Sequence, residues 1–229
     1  MRSLLRALAA TLIAAGVLVV VWVIVVWRWQ DPLTAIYTHI EQSRLSSRYT
    51  ARAATFRAVA PKLKPREFDR GATAEDGRRY RASLHVGDPI GRLQIGRIGL
   101  NMIVVQGTDD ETLKKGPGHY LSTGLPGQGQ LIYVAGHRTT YLAPFSHIDA
   151  IRTGDRITFT VPYGTFSYRA YRHYIVPADD LAVLATHGRE ILRLQACHPR
   201  FFATHRYIVD AHLVAFRAPG ESRWLPVKA

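Results

Sequence analysis

An uncharged apolar segment near the N-terminus places the strongest constraint on how this chain can fold. From Ala7 to Trp27 there are 21 consecutive residues without a charge, mostly Ala, Val, Ile, Leu and Trp. As a helix that rises about 1.5 Å per residue, the segment spans roughly 31 Å, which is close to the hydrocarbon thickness of a bilayer. We therefore predict a transmembrane anchor within residues 1–30.

A cleaved signal peptide is the alternative interpretation of this segment. Signal peptides have a shorter apolar region, about 7 to 15 residues long, followed by a small-x-small cleavage site. No such site follows here, since residues 27–32 read "WRWQDP". Arg2 and Arg6 precede the segment and only Arg28 directly follows it, which favours a single-pass membrane protein with a cytoplasmic N-terminus and an extracellular C-terminal domain.

The formal net charge of +13 bears on the partners of the chain. The sequence has no zinc-finger spacing, RNP-like aromatic motif or compact basic recognition helix, so no nucleic-acid partner is expected. A basic domain tethered to a membrane suits anionic lipid or wall polymers, and a solvated basic surface without a partner is an equally good interpretation. Cys197 is the only cysteine, so the external domain has no intramolecular disulfide and depends on its core for stability.

Three regions follow the predicted anchor. Residues 31–83 begin with a helix-favouring stretch and continue, from Pro61 to about Ser83, with a charged stretch poor in large aliphatic residues. We predict a juxtamembrane stalk that is helical in part, followed by a mobile linker. Residues 84–217 consist of short β-favouring runs separated by Gly, Pro and Asp and form the predicted folded domain, and residues 218–229 are a predicted C-terminal tail.

Seven runs in the predicted domain have the composition or the alternation of β-strands. They cover residues 91–95, 100–106, 130–135, 156–161, 165–176, 191–196 and 207–216. Short helical turns are predicted at 109–115, 143–148 and 179–185, the first and last opened by Asp residues suited to capping. Seven or eight short strands in a domain of this length predict a small closed β-barrel or a sandwich.

Cys197 ends an apolar run and is either a small buried hydrophobic residue or a nucleophile. A thiol becomes a good nucleophile when a cationic partner stabilises its thiolate, and His137 follows another apolar strand in the sequence Gly-His-Arg. If the two strands are parallel or share a barrel rim, imidazole and thiol face one cleft. Arg206 begins the strand after the cysteine, so an antiparallel hairpin places its guanidinium beside Cys197, where it can hold a carbonyl or an oxyanion. An exposed arginine without a role is the alternative for Arg206.

Other chemistries find little support in the sequence. His198, His205 and His212 lie near the cysteine, but the spacing C-H-x6-H lacks the paired ligands of familiar zinc sites, so neither a metal nor a cofactor is expected. The sequence contains no P-loop, no dinucleotide-binding fingerprint and no G-x-S-x-G motif.

Three stretches of the sequence together resemble the sortase family, the membrane-anchored cysteine transpeptidases of Gram-positive cell surfaces. They are "LKKGPGHYLSTGLPGQGQLIYVAGHRTTYLAPFSHIDAIRTGDRITF", "LRLQACHP" and "HRYIVDAHLV". They belong to a similarity that runs from about Val86 to Phe216 and keeps the order His, Cys, Arg. The Gly-Pro-Gly-His-Tyr and Cys-His-Pro motifs are most similar to class E sortases of actinobacteria.

This resemblance implies a mainly β fold, a closed eight-stranded sortase-like β-barrel with short helices, preceded by the transmembrane helix. It implies that Cys197 attacks a sorting-signal peptide, of the Leu-Pro-x-Thr-Gly or Leu-Ala-x-Thr-Gly kind, between Thr and Gly. An amine of a peptidoglycan precursor or of a pilin then resolves the acyl-enzyme. By the same resemblance His137 is the acid/base, Arg206 is the oxyanion or substrate clamp, and His119 is structural. The residues expected to contact the substrate are Tyr120, Ala196 and His198.

The chain departs from the family pattern just before the cysteine. Sortases normally read Thr-Leu-x-Thr-Cys, whereas residues 193–197 read Arg-Leu-Gln-Ala-Cys. The missing hydroxyl at Ala196 removes a polar group beside the nucleophile but leaves the three groups that the mechanism needs. Two alternatives stay open, a catalytically idle barrel that binds peptide or wall polymer, and a cysteine hydrolase that releases the threonyl acid to water.

Overall fold

The computed structural model describes residues 2–29, 32–59, 68–185 and 188–227. The helices in these ranges are α1 (Arg2–Trp29), α2 (Pro32–Val59), α3 (Arg70–Ala82) and the single turn α4 (Asp110–Leu113), with short 3-10 helices at Gly96–Ile98, Ile148–Ala150 and Leu181–Leu184. The strands are β1 (Pro89–Ile95), β2 (Leu100–Gln106), β3 (Gly118–His119), β4 (Leu131–Ala135), β5 (Arg156–Val161), β6 (Gly164–Pro177), β7 (Ile191–His198), β8 (His205–Arg217) and β9 (Leu225–Pro226).

Eight of the described strands close into a barrel. Neighbouring strands follow the order β6-β5-β1-β2-β3-β4-β7-β8, and β8 pairs back onto β6 from Thr165↔Arg217 to Pro177↔His205. The short β9 pairs with β8 outside this ring. The closed eight-stranded barrel predicted from the sequence is confirmed, and the sandwich alternative is not realised.

Alternating side chains fill the barrel interior. In β5 every second residue is buried, and Phe159 is fully enclosed between Ile157 and Val161 on the same face. In β6 the predicted alternation places Phe166 and Tyr168 in the core. Because a strand presents successive side chains to opposite faces, this pattern fixes which residues of each strand point inward.

The predicted strands and the predicted turns at 109–115 and 179–185 agree with the structure to within a few residues at their ends, whereas the turn predicted at 143–148 shares only Ile148 with the 3-10 helix Ile148–Ala150. Asp109 accepts a hydrogen bond from the backbone nitrogen of Thr112 at 3.0 Å, and Asp180 accepts one from Ala182 at 2.9 Å, so both predicted caps are confirmed. The two-residue strands β3 and β9 were not predicted.

Helix α1 is long and apolar enough to cross a membrane. Its segment Arg2–Val25 has a mean hydropathy of 2.8, and no residue of its most apolar stretch is buried inside the protein. The helix therefore presents an apolar surface that the other residues described in the structure do not cover.

Helix α2 packs on the barrel over much of its length, where the sequence indicated a stalk that is only partly helical. Leu45, Tyr49 and Ala53 are buried against Ile103 and Val105 of β2. This packing removes one face of the helix from water, which is the main source of helix stability in proteins.

The side-chain amide of Gln42 reinforces this packing through the backbone of β2. It donates to the carbonyl oxygen of Ile103 at 3.0 Å and accepts from the nitrogen of the same residue at 2.7 Å. Helix α2 is therefore part of the folded domain.

The prediction of a mobile linker from Pro61 to Ser83 is wrong for residues 70–82, which form α3; residues 60–67 lie outside the described ranges. Asp69 caps α3 by accepting from the nitrogen of Ala72 at 2.9 Å. Near the other end, Tyr80 is fully buried, and its hydroxyl donates to the carbonyl oxygen of Ile90 at 2.9 Å. One buried aromatic residue fixes a helix whose other positions are mostly polar.

The predicted C-terminal tail also contributes to the fold. Leu225 of β9 pairs with Phe216 of β8 and is buried, and Arg217 stacks over the ring of Trp224 at 4.8 Å from its centroid. Residues 218–227 therefore return to the barrel wall; residues 228–229 lie outside the described ranges.

His119 on β3 is fully buried, as expected of a structural residue. Its Nε2 lies 2.8 Å from the carbonyl oxygen of Gly124, and its Nδ1 lies 3.0 Å from Oε1 of Gln106. Burial lowers the pKa of the imidazole to about 4, because the charged form would lose its hydration.

We expect His119→Gln to reduce the acid sensitivity of folding. The pKa of His119 is about 6.5 in the unfolded chain and about 4 in the folded protein, so between these pH values only the unfolded chain binds the proton. Acidification through this window therefore lowers the free energy of unfolding of the wild type by at most about 3 kcal/mol. Urea unfolding of the detergent-solubilised full chain at the two ends of this window measures the loss. His39→Gln, at an exposed site on α2, is the control and should lose as much as the wild type. An H119Q variant with an undiminished loss would contradict this account.

Candidate active site

Two parallel strands bring the predicted histidine and cysteine side by side. Strands β4 and β7 pair in register from Leu131↔Ile191 to Ala135↔Gln195. His137 and Cys197 each come two residues after the last pair, so both lie at the same end of the two strands. The arrangement that the sequence analysis required for one cleft, parallel strands that share a rim, is present.

The predicted arginine joins them from the antiparallel neighbour. Cys197 of β7 pairs directly with Arg206 of β8, and directly opposed residues project their side chains from the same face of a sheet. The guanidinium Nη1 donates to the carbonyl oxygens of Ala203 at 2.7 Å and His205 at 3.0 Å, which ties it to the β7–β8 loop. Both Cys197 and Arg206 are partly exposed, so the thiol is not sealed in the core.

The imidazole of His137 is half-buried under a tyrosine. The ring of Tyr141, in the same loop, lies 5.2 Å from it at an interplanar angle of 37°. Burial lowers the pKa of His137, and the carboxylate of Asp110 on α4 partly opposes that shift. Among the described residues, Nε2 of His137 is buried and has no hydrogen-bond partner. A neutral imidazole with a free ring nitrogen is suited to accept a proton.

A second arginine, to which the sequence analysis gave no role, holds the end of β7. Arg138 is buried, and its Nη2 lies 2.8 Å from Oδ2 of Asp149. Its Nη1 donates to the carbonyl oxygen of Cys197 at 3.3 Å and to Nδ1 of His198 at 2.9 Å. Because a guanidinium can only donate, Nδ1 of His198 accepts and its ring proton lies on Nε2. The only sequence feature that could have indicated a role for this arginine is its position next to His137. Because most arginines are exposed on protein surfaces, that position alone did not predict a buried one.

The three residues predicted to contact the substrate lie in different environments. His198 is half-exposed directly after Cys197, within the rim. Tyr120 is half-buried after β3, where its ring meets that of Tyr133 edge-on at 6.2 Å. Ala196 is fully buried in the barrel core, which contradicts its prediction as a substrate contact. Its neighbour Cys197 is partly exposed because successive strand residues point to opposite faces.

The arginine that replaces the first family threonine is compensated by a buried partner. Arg193 pairs across the ladder with Asp210, with Nε–Oδ1 at 2.6 Å and Nη2–Oδ2 at 2.8 Å, and both side chains are almost completely buried. A further donor of Arg193 reaches the carbonyl oxygen of Val183 in the β6–β7 connection. The pair therefore ties β7, β8 and this connection together close to the rim.

Comparison with known proteins gives the same family as the sequence motifs. Residues 93–214 match the model of the sortase domain. The chain is 32% identical over 152 residues to sortase D of Bacillus subtilis (strain 168), an alignment that covers 64% of this chain and 75% of that protein.

Solved sortases have the same fold. Sortase E from Streptomyces avermitilis is 32% identical with a TM-score of 0.55, over 61% of this chain and 97% of that one. A sortase D5 transpeptidase of Clostridium perfringens is 26% identical with a TM-score of 0.56, over 61% of this chain and 88% of that one. The fold is thus that of a β-barrel transpeptidase. The chain belongs to the sortase family and is a sortase-type enzyme.

Replacing Arg193 by Met should destabilise the protein by about 3–5 kcal/mol, because Asp210 is left as a buried charge without its partner. The double variant Arg193→Met, Asp210→Leu removes that charge and should recover most of the loss. Chemical unfolding of the full chain in detergent measures both effects. The matched control is Arg97→Met, which breaks the solvent-exposed pair with Asp155 and should cost much less stability, because water screens that pair. Equal losses for R193M and R97M would contradict a buried, mutually dependent pair.

Proposed function

We propose that this sortase is a membrane-anchored cysteine transpeptidase that cleaves a C-terminal sorting signal between Thr and Gly and transfers the protein to an amine. The observation that carries the proposal is the strand register that sets Cys197 opposite Arg206 and beside His137 at one rim. Cys197 is the only cysteine of the chain, so no other thiol competes for the role of nucleophile.

In the first half-reaction, Cys197 is the nucleophile. His137 takes the proton of the thiol, and the sulfur attacks the carbonyl carbon of the threonine to form a C–S bond. The guanidinium of Arg206 stabilises the negative charge that develops on the carbonyl oxygen. Collapse of this intermediate breaks the Thr–Gly C–N bond, and the glycine amine leaves with the proton returned by His137.

In the second half-reaction, an amine resolves the thioester. The amine nitrogen attacks the thioester carbon and gives its proton to His137, and the C–S bond breaks to release the thiolate. The thiolate then takes this proton from His137, which restores the thiol and the neutral imidazole. The lowered pKa of His137 supports the base role, because the imidazole is neutral when each step begins. The free Nε2–H of His198, fixed by the Arg138 contact to Nδ1, is suited to donate to a carbonyl oxygen of the bound peptide.

The N-terminal segment supports a position at the cell membrane. Helix α1 is apolar and uncovered, and Arg2 and Arg6 lie before its apolar stretch, which favours a cytoplasmic N-terminus and an extracellular barrel. At that location the substrate that is cleaved is the sorting signal of a secreted protein, of the Leu-Pro-x-Thr-Gly or Leu-Ala-x-Thr-Gly kind. The acceptor is an amine of a peptidoglycan precursor or of a pilin. The class E-like motifs and the similarity to a sortase E support this choice.

The direct test is the acyl-enzyme. Incubation of the full chain with a pool of sorting-signal peptides should give a thioester on Cys197, detected by intact-protein mass spectrometry. Cys197→Ala should show no adduct and no transfer while its circular dichroism spectrum stays that of the wild type. Acyl transfer at the wild-type rate in C197A would be incompatible with the proposal.

Arginine substitutions test the proposed oxyanion contact. Arg206→Ala should lower kcat/KM by about 10²- to 10³-fold, the usual effect of losing an oxyanion donor. Arg217→Ala, at the opposite end of the same strand, is the matched control and should leave the rate unchanged. Equal rates for R206A and R217A would remove Arg206 from the mechanism.

The fate of the thioester separates transfer from its alternatives. With a diaminopimelate-containing peptide added as the amine, a transpeptidase yields ligated product. Release of the threonyl acid alone would identify a cysteine hydrolase, and binding without any thioester would identify an idle barrel; either result would overturn the proposed transfer.

A further inference from the structure

The loop that follows His137 has an unusual backbone. Tyr141, Leu142 and Ala143 have φ angles of 53°, 59° and 36°, three consecutive non-glycine residues in the left-handed region. Such residues crowd their Cβ atoms against the backbone, so a run of them persists only where surrounding contacts hold it in place. The position of His137, at the start of this loop, therefore depends on the contacts that hold the turn.

Part of the contacts that hold the turn come from the beginning of α2. The backbone nitrogen of Tyr141 donates to Oγ1 of Thr34 at 3.1 Å. One helical turn later, the ring of Tyr37 meets that of Tyr141 edge-on, with centroids 6.4 Å apart at 74°. Thr34 and Tyr37 are three residues apart and thus lie on one face of the helix. Tyr141 in turn covers His137, so contacts are continuous from α2 to the imidazole.

This end of α2 is itself fixed to the barrel. Oγ1 of Thr38 donates to the carbonyl oxygen of Lys114 at 2.8 Å, and Nε2 of Gln42 donates to that of Lys115 at 2.7 Å. With the Gln42 contacts to β2, these bonds fix the first part of the helix to the barrel. A helix held in this way can position the loop that it touches.

We infer that Thr34 and Tyr37 are positioning residues of the active site, which hold Tyr141 over His137 and so fix the imidazole beside Cys197. This inference rests on the proposed function, because it takes His137 as the acid/base. Thr34 follows the end of α1 at Trp29 by five residues, so the covalent chain limits their separation to roughly 18 Å. The helix that completes the site is therefore the one that follows the predicted membrane anchor in the sequence.

Loss of these contacts should act on His137 in a measurable way. A relaxed Tyr141 no longer covers the imidazole, which gains water, so the pKa of His137 rises from its lowered value towards the ordinary one. Apart from the phenol of Tyr37, which contacts Tyr141, the variants below leave the ionisable groups around the imidazole in place. These groups are Asp110 from α4, Arg138 and Tyr141 from its own loop, Cys197 from β7 and Arg206 from β8.

The experiment uses the full chain in lipid nanodiscs with isotope-labelled histidine. Thr34→Val removes the hydrogen-bond acceptor and Tyr37→Ala removes the ring. In both variants we expect the NMR titration of His137, assigned by its absence in His137→Asn, to shift to higher pH. We also expect kcat/KM for peptide transfer to fall by about 10- to 100-fold, as small misplacements of catalytic groups do.

Matched variants on the same helix separate positioning from a general effect on α2. Tyr37→Phe keeps the ring and should behave like the wild type. Thr50→Val and Ile36→Ala alter exposed residues of α2, one a threonine bonded only within the helix and one the neighbour of Tyr37, and should change neither measurement.

The possible results decide between the two proposals. Unchanged titration of His137 in both T34V and Y37A would overturn the inference, even if both variants lost activity through a lower stability. A shifted titration in a protein that forms no thioester with any peptide would support the positioning role and reject the transpeptidase. A shifted titration together with slower transfer supports both.

Discussion

The register of β4, β7 and β8 is the constraint on which the active site depends. The parallel pair β4–β7 carries His137 and Cys197 to the same end of the sheet, and the antiparallel pair β7–β8 sets Arg206 opposite the cysteine. A slip of one residue in either pair would turn one of these side chains to the other face. The chemistry is therefore specified by backbone hydrogen bonds and by the alternation that puts Ala196 inside and Cys197 at the rim.

Two buried arginines stabilise this strand register close to Cys197. Arg193 pairs with Asp210 directly across β7 and β8, four residues before the nucleophile, and Arg138 joins Asp149 to the carbonyl oxygen of Cys197. Both members of the Arg193–Asp210 pair are buried, and a buried ion pair adds little net stability but is costly to break, so this pair disfavours alternative pairings. The arginine at position 193, where sortases usually have threonine, thus has a structural partner in Asp210.

Much of the barrel and of the rim could be predicted from the sequence because both depend on short-range patterns. Alternating runs gave seven strands, and the order of His137, Cys197 and Arg206 at strand ends gave the site. The helix at residues 70–82 was not predicted because its segment is highly charged and has no apolar stripe. It is stabilised by one buried tyrosine, Tyr80. Arg138 was missed because its burial depends on Asp149, which no local pattern connects to it. The contact of Thr34 with Tyr141 joins residues 107 positions apart and leaves no local signal.

The central claim, that the guanidinium of Arg206 lies directly across from the thiol, is tested most directly by disulfide formation. The chain has a single cysteine, so a second one reports its neighbour without background. Directly opposed residues of antiparallel strands have Cα atoms about 4.5–5.5 Å apart, within the range of a disulfide. We predict that Arg206→Cys, on mild oxidation, forms an intramolecular bond with Cys197, seen by mass spectrometry as the loss of two hydrogens and both free thiols, whereas His205→Cys does not. A bond at position 205 and free thiols at 206 would contradict the register and the active site built on it.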